Sequence, residues 1–331
     1  MKVHVFFHDR CFDGAASAAV FTRLYQDCFH SDAEFVYTGL AHRASQLFDE
    51  KQFDGDENAI VDFKYSASSR LHWWFDHHQS AFLSSEDAEH FRRDRTGRKF
   101  YDPSFKSCTK LIDSVGREKF GFQAPDLEEL IYWADIVDGA LFADAETAVK
   151  MEAPALRLAL VMEAGPDSDM ARWLIPQMAA RSLAQIVADK KIADLFDPLY
   201  QRHLHSLDLI RQLGHCERGV VFFDLTGPGI EVYNKFAPYY LFPDCLYCVS
   251  VCPSSFRTKI SVGSNPWNKA AALHNLASIC ERYGGGGHAR VGAISLEPGK
   301  LEQARRIARD IVEELKTTPP ELSSPDAAPI P

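Results

Sequence analysis

Four short stretches of the sequence carry side chains suited to binding divalent metals. The most concentrated is LHWWFDHHQS, residues 71–80, where an aromatic run stops at Asp76, His77 and His78. His8, Cys11 and Asp13 follow the apolar stretch Lys2–Phe7, spaced as His8-x-x-Cys11-x-Asp13-Gly14. Asp62 ends NAIVD, and Asp135 and Asp138 lie in and just after the amphipathic stretch Leu127–Val137. A carboxylate with two imidazoles suits Mn²⁺ or Zn²⁺ better than Mg²⁺ or Ca²⁺, whose shells are built from oxygen. Each stretch also has a plainer reading. An isolated DHH is as readily a surface turn, Asp13 a helix N-cap, and Asp138-Gly139 the turn that ends a helix. Either Asp135 or Asp138 could be a ligand. A fifth stretch, Gly284-Gly285-Gly286-Gly287-His288, differs in kind. Each glycine costs folding entropy, so a run of them implies backbone that must approach something closely. Its amides could hold phosphate oxygens, or the run could be a flexible loop.

The elements that would position these residues follow from hydrophobic pattern. Lys2–Phe7, Ala33–Thr38, Asn58–Phe63 and Leu71–Phe75 read as strands, and AASAAVFTRLY as a helix. Alternating strands and helices, with ligand candidates at three strand ends, is the pattern of a parallel α/β sheet, which places its chemistry at the carboxyl edge. From Thr109 to about Ile210 the pattern is mostly helical, and Leu183–Leu213 reads as a long charged connector with His203, His205 and His215 in solvent. A second alternation starts at Gly219. It includes VVFFDL, LYCVSV and FRTKISVGSNPW, a helical AALHNLASICERY, then ARVGAISL and a last amphipathic helix, LEQARRIARDIVEEL. The expected fold is therefore α/β with two domains, an N-terminal parallel-sheet domain over 1–190 and a smaller C-terminal α/β domain over 217–316. A helical linker over 191–216 joins them, and the Pro- and Ser-rich tail 317–331 is expected to be disordered.

Composition sets further bounds. A chain of 331 residues exceeds one ordinary core. Lys and Arg total 36 against 46 Asp and Glu, a formal charge of −10 that makes a poor general attractor for long polyanions. No signal-peptide pattern opens the sequence, and no stretch approaches the roughly 20 apolar residues that cross a bilayer. Eight scattered cysteines fit a reducing compartment, so a cytoplasmic location without membrane partners is expected. Cys245, Cys248 and Cys252 are spaced somewhat like an iron–sulfur run, but LYCVSV is a strand pattern and no fourth cysteine follows nearby. Buried thiols are the expectation.

In this order and context the motifs resemble the DHH phosphoesterase family with its DHH-associated C-terminal domain, in the manner of RecJ-like and oligoribonuclease-like proteins. The resemblance spans residues 1–316. His8-x-x-Cys11-x-Asp13-Gly14 resembles the first motif, Asp62 the second, Asp76-His77-His78 the name motif and Asp135 in WADIV the fourth. GGGGHARVGA, Gly284–Ala293, resembles the C-terminal signature. The resemblance implies two divalent ions, usually Mn²⁺ with Zn²⁺ or Mg²⁺ as alternatives, about 3.5–4 Å apart and generating a hydroxide for in-line phosphoryl displacement. It implies that His8 and Asp62 hold one ion, and that Asp13, Asp62, His77 and Asp135 hold the other. Asp62 would bridge and His78 would face the scissile phosphate. Asp76 and Asp138 complete the candidate ligand set. His288 with Gly284, Gly285, Gly286 and Gly287 would grip the substrate.

Two departures stand out. Where many relatives carry aspartate, this chain has Cys11, a softer donor that would weaken the first site or favour zinc, unless the thiol only packs beneath the loop. Gly263 in KISVGS stands where relatives often place an arginine, with Arg257, Lys259 and Arg290 as candidate substitutes. The implied activity is hydrolysis of phosphodiester or phosphomonoester bonds in short oligonucleotides or small nucleotides, with a homodimer as the candidate assembly. The alternative is a nucleotide- or RNA-binding protein with a degenerate metal site.

Overall fold

The computed structural model describes residues 1–41, 48, 50–165, 169–268, 270 and 273–317. The tail expected to be disordered lies, from residue 318, outside them. The chain divides into two compact units. One is Met1–Phe142 with Met151–Leu199; the other is Ala143–Lys150 with the chain from Tyr200 onward.

The first unit runs β1 (Lys2–His8), α1 (Phe12–Cys28), β2 (Glu34–Leu40), β3 (Glu57–Val61), β4 (Trp73–Asp76), α2 (Ser85–Arg93), β5 (Lys99–Tyr101), α3 (Cys108–Val115) and α4 (Glu128–Asp138). After α5 (Ala145–Lys150), which belongs to the second unit, come α6 (Pro154–Ala164), α7 (Met170–Ala180), α8 (Leu183–Val187) and the start of α9 (Lys190–Leu213). The five strands form one sheet in the order β2-β1-β3-β4-β5, parallel throughout. Alternation along the strands explains why their sequences are continuously apolar. Val3, Val5, Phe7, Ala59, Val61, Trp73 and Phe75 face one core with α1. Phe6, Ile60 and Trp74 face another on the opposite side. A parallel sheet buried on both faces needs such runs, and each buried aromatic contributes roughly 1.5–3 kcal/mol. The order 2-1-3-4-5 has its topological switch between β1 and β3, where open α/β sheets bind ligands outside the carboxyl ends.

The second unit holds α5, the end of α9, β6 (His215–Glu217), β7 (Val220–Asp224), α10 (Ala237–Leu241), β8 (Tyr247–Pro253), β9 (Thr258–Ser264), α11 (Leu276–Glu281), β10 (Gly286–His288), β11 (Val291–Leu296) and α12 (Leu301–Leu315). Its six-stranded sheet runs β10-β11-β9-β8-β7-β6, antiparallel except for β7 with β8. Ile260, Val262 and Ile294 pack against Ile307 and Ile311 of α12 on one face. Val221, Phe223 and Cys248 pack with Tyr239, Val149 and Ile210 on the other. Cys245, Cys248 and Cys252 are buried free thiols, as expected.

His203 departs from expectation. It is 7% exposed and donates from Nε2 to the Val149 carbonyl at 2.8 Å, whereas His205 and His215 are exposed. The charged face of α9 hid an apolar stripe, Leu207 and Ile210, that joins Val149 of α5 and Val221 and Phe223 of β7 in one core. Helix α11 is also shorter than its pattern. Asn275 caps it by accepting the Ser278 amide at 3.3 Å, and Ala271 and Ala272 lie outside the described residues. No described helix is long and apolar enough to cross a membrane.

Candidate metal centre

The candidate centre lies wholly in the first unit, at the carboxyl edge of β1, β3 and β4. His8 is the last residue of β1, and α1 starts four residues later. Gly14 makes this close passage feasible. A Cβ there would collide with the His8 carbonyl oxygen and stand 2.9 Å from His8 Cβ. Asp62 follows β3 with φ 56°, a left-handed conformation that Asp tolerates better than most residues. Its amide donates to the Phe75 carbonyl at 2.9 Å, tying it to β4. The bend turns the carboxylate into the centre of the group. Oδ2 is 3.3 Å from His8 Nδ1; Oδ1 is 3.4 Å from His77 Nε2 and 3.8 Å from His78 Nδ1. Asp62 is 1% exposed, yet neither oxygen has a hydrogen-bond partner.

His77 completes the junction. Its Nδ1 donates to the Phe105 carbonyl at 3.2 Å, so Nε2 faces the carboxylates without a hydrogen bond of its own. From Nε2, Asp138 Oδ2 is 3.5 Å and Asp13 Oδ2 is 3.7 Å away. Three donor groups result, each with its ligand atoms within 4.8 Å of one another. They are His8, Cys11 and Asp62; Asp62, His77 and His78; and Asp13, His77 and Asp138.

These separations test whether a metal fits. Donors bound about 2.1 Å from one ion at octahedral to tetrahedral angles stand about 3.0–3.4 Å apart. The observed 3.3–3.7 Å is too long for good hydrogen bonds and close to that spacing. An imidazole fixed through one nitrogen by a carbonyl, with the other aimed at carboxylates, is the usual arrangement of a metal-ligating histidine. Buried, unpartnered carboxylate oxygens otherwise carry a large desolvation cost. The donor set therefore fits divalent ions.

Electrostatics agree. Burial would raise the Asp62 pKa, but the approach of His77 and His8 and the charge of His78 outweigh it and bring it to about 2. Burial would lower that of His77, yet Asp62, Asp13 and Asp138 raise it to about 9. Asp13 is pushed well above the carboxylate range by burial, then by Asp62 and Asp138, and Asp138 is raised by burial and Asp62. The Cys11 thiol keeps some surface open but is packed among protein atoms. Burial and the neighbouring Asp62 and Asp13 raise its pKa well above the ordinary value. Without cations, protons hold this cluster of carboxylates together.

Several residues sit differently from expectation. Asp138, not Asp135, joins the cluster; Asp135 Oδ1 accepts the Ser107 hydroxyl at 3.1 Å instead. Positions three apart on a helix share a face, so sequence pattern could not fix which of the two aspartates of α4 reaches the cluster. Asp76 falls outside the donor groups. Its Oδ1 accepts the His77 amide at 2.8 Å, the His78 amide at 3.2 Å and His78 Nδ1 at 2.7 Å, so it positions the histidine pair. Burial opposes a charged His78 ring, but Asp76 and Asp62 prevail and raise its pKa. Asp13 does not cap its own helix. It accepts the Cys108 and Thr109 amides of α3 at 2.7 and 3.0 Å, a carboxylate at the favourable end of a helix dipole. The α3 amides and the Phe105 carbonyl are not legible in the sequence, where backbone partners leave no mark.

In the second unit, three of the four glycines have local reasons. Gly284 has φ 76°, and Cβ atoms on Gly285 and Gly287 would collide with the Ala293 and Val291 carbonyls across the β10–β11 hairpin; Gly286, with open space around it and no positive φ, is the one without such a reason. The close approach argued from the glycine run is thus largely an approach to β11. His288 and Arg290 are exposed beside it, and Arg257 donates to Ser295 Oγ at 3.2 Å. Gly263 has a steric cause, because a Cβ there would collide with Tyr239 Oη.

No family model matches this chain, and no curated protein matches it by sequence. Solved structures do match. A pGpG-specific phosphodiesterase from Vibrio cholerae, PggH, superposes with TM-score 0.68 at 18% identity, over 95% of this chain and 99% of that one. The DHH domain of a protein described as a member of a family of ribosomal proteins gives 0.56 at 12%, over 96% and 87%. RecJ from Thermus thermophilus in complex with Mg²⁺ gives 0.50 at 12%, over 95% of this chain but 50% of that one. The chain has the fold of DHH-domain proteins.

Proposed function

We propose that this chain is a metal-dependent phosphoesterase that hydrolyses short oligonucleotides or small nucleotides. The observation that carries the reading is Asp62, a buried carboxylate with both oxygens unpartnered and aimed at separate donor groups. His8, Cys11 and Asp62 would hold one divalent ion, and Asp13, Asp62, His77 and Asp138 the other, with Mn²⁺ the first candidate and Mg²⁺ or Zn²⁺ as alternatives. Such a pair supplies an activated water at neutral pH and offsets charge on a phosphoryl group. The chain's own residues do the positioning. Asp62 sets the spacing of the two donor groups from its strained turn. The Phe105 carbonyl holds the proton on His77 Nδ1 and leaves Nε2 to ligate. Asp76 holds the proton on His78 Nδ1, so that His78 would present Nε2 to a phosphate oxygen. His288 and Arg290, exposed in the second unit, and the half-buried Gly286 are the proposed substrate contacts there, whereas Arg257 lies at the opposite end of β9.

The substrate class draws support from the structural neighbour described as a pGpG-specific phosphodiesterase. The net charge of −10 also favours short substrates over long polyanions. The test is hydrolysis of a panel of dinucleotides, pGpG among them, and nucleotide phosphates with Mn²⁺, Mg²⁺ or Zn²⁺, with Asp62→Asn as control. Metal-dependent turnover of at least one, lost in the control, is expected. Metal binding without hydrolysis of any would leave a nucleotide-binding protein instead.

A further inference from the structure

Asp62 stands between two sets of donors that differ in chemistry, with Oδ2 facing His8 of one and Oδ1 facing His77 of the other. On one side stand Asp13, His77 and Asp138, which offer only oxygen and imidazole nitrogen. On the other stand His8 and Cys11, whose Sγ lies within 4.8 Å of the ligand atoms of His8 and Asp62. Asp62 Oδ2, buried and unpartnered, faces this second group at 3.3 Å from His8 Nδ1. Cys11 also sits at the start of the 17-residue helix α1, whose positive end opposes the burial and the neighbouring carboxylates that otherwise raise its pKa, an opposition a bound cation would complete. The nearby Cys108 is excluded from this role, since its thiol donates to the Phe75 carbonyl at 3.3 Å.

We propose that Cys11 ligates as a thiolate, so that this protein holds two unlike ions. A thiophilic one, Zn²⁺ or Co²⁺, would sit at His8–Cys11–Asp62, and a harder one, Mn²⁺ or Mg²⁺, at Asp13–Asp62–His77–Asp138. The proposal rests on the metal-centre reading above. On ligation the thiol proton passes to solvent and the sulfur lone pair forms the metal bond; nothing is oxidised. Sulfur selects zinc-like ions, whereas carboxylate and imidazole suit manganese. A shared Asp62 then forces the unlike ions to be neighbours.

The test uses metal-free full-length protein titrated with Co²⁺ and followed by absorption. A sulfur-to-cobalt charge-transfer band that saturates at one equivalent is expected in the wild type and lost in Cys11→Ser and Cys11→Asp. Protein loaded with equimolar Zn²⁺ and Mn²⁺ should retain one of each by elemental analysis. In Cys11→Asp the partition should move toward Mn²⁺ on the order of tenfold or more. The wild-type band requires no variant to fold. Two bound Co²⁺ ions with ligand-field absorption and no sulfur band would overturn the thiolate while leaving the metal centre standing. An unchanged Zn²⁺-to-Mn²⁺ ratio in a folded Cys11→Asp protein would do the same. Failure to bind any divalent ion would bring down the metal centre itself.

Discussion

Asp62 carries the most at the scale of single residues. Asn at this position keeps the tolerance for φ 56° but loses the charge that faces three histidines. Asp62→Asn should therefore fold normally, as read by circular dichroism, yet lose both ions by elemental analysis. Retention of wild-type metal would show that Asp62 is no bridge. Asp138 and Asp135 make a sharper comparison. Asp138→Asn removes a carboxylate 3.5 Å from His77 Nε2 and should cut metal affinity and turnover by orders of magnitude. Asp135→Asn disturbs only the Ser107 hydroxyl bond and should cost about 1 kcal/mol of stability, read by denaturant titration. The opposite ranking would return the ligand to Asp135. This pair also marks where sequence stopped being informative. Asp76, His77, His78 and Asp62 were legible because carboxylates and imidazoles stood abruptly at the ends of apolar strands. Which aspartate of α4 faces inward depends on helix rotation, and a three-residue spacing on one helix leaves both within plausible reach.

Among elements, the central strands were legible since a sheet buried on both faces demands runs such as Trp73–Phe75. The three-residue edge strand β5 was not, because Lys99–Tyr101 is half-buried and too short to show a period. The glycines of the second unit stand out in the sequence but their cause does not, because a sequence cannot say whether a missing side chain makes room for a ligand or for the next strand. Gly263 tests this distinction. Its place on β9 opposite Cys248 and Val291 leaves Tyr239 Oη where a Cβ would go. Gly263→Ala should destabilise the protein by about 1–3 kcal/mol through overpacking. Tyr239→Phe in the same chain should restore most of that loss, since the remaining ring carbon, Cζ, lies 3.7 Å from the Cβ position. Additive losses in the double-mutant cycle would mean that the hydroxyl is not what excludes a side chain.

For the whole molecule, the charge cluster predicts how stability depends on pH. His77, raised from 6.5 to about 9, gives the fold a contribution fully present below pH 6.5 and lost as pH rises through 9. Raised Asp13 and Asp138 act in the same direction from 3.8 upward. Asp62, lowered to about 2, opposes them, with a contribution present above 3.8 and lost as pH falls through 2. The melting temperature of metal-free protein should thus decline between pH 6.5 and 9, and saturating Mn²⁺ should flatten the decline by replacing protons with metal charge. A flat profile in chelator would mean that His77 does not feel these carboxylates. Chain connectivity adds a consequence in time. Helix α5 is made early, yet the Val149 carbonyl waits for His203, 54 positions later, and the Ala148 carbonyl for Asn234, 86 positions later. At about 5–20 residues per second of synthesis, the longer wait lasts roughly 4–17 s. The first unit's last segment, ending at Leu199, emerges within that interval. A nascent chain must therefore make the rest of the first unit while an eight-residue segment waits undocked, and a ribosome stalled before residue 203 would hold α5 exposed to chaperones and proteases.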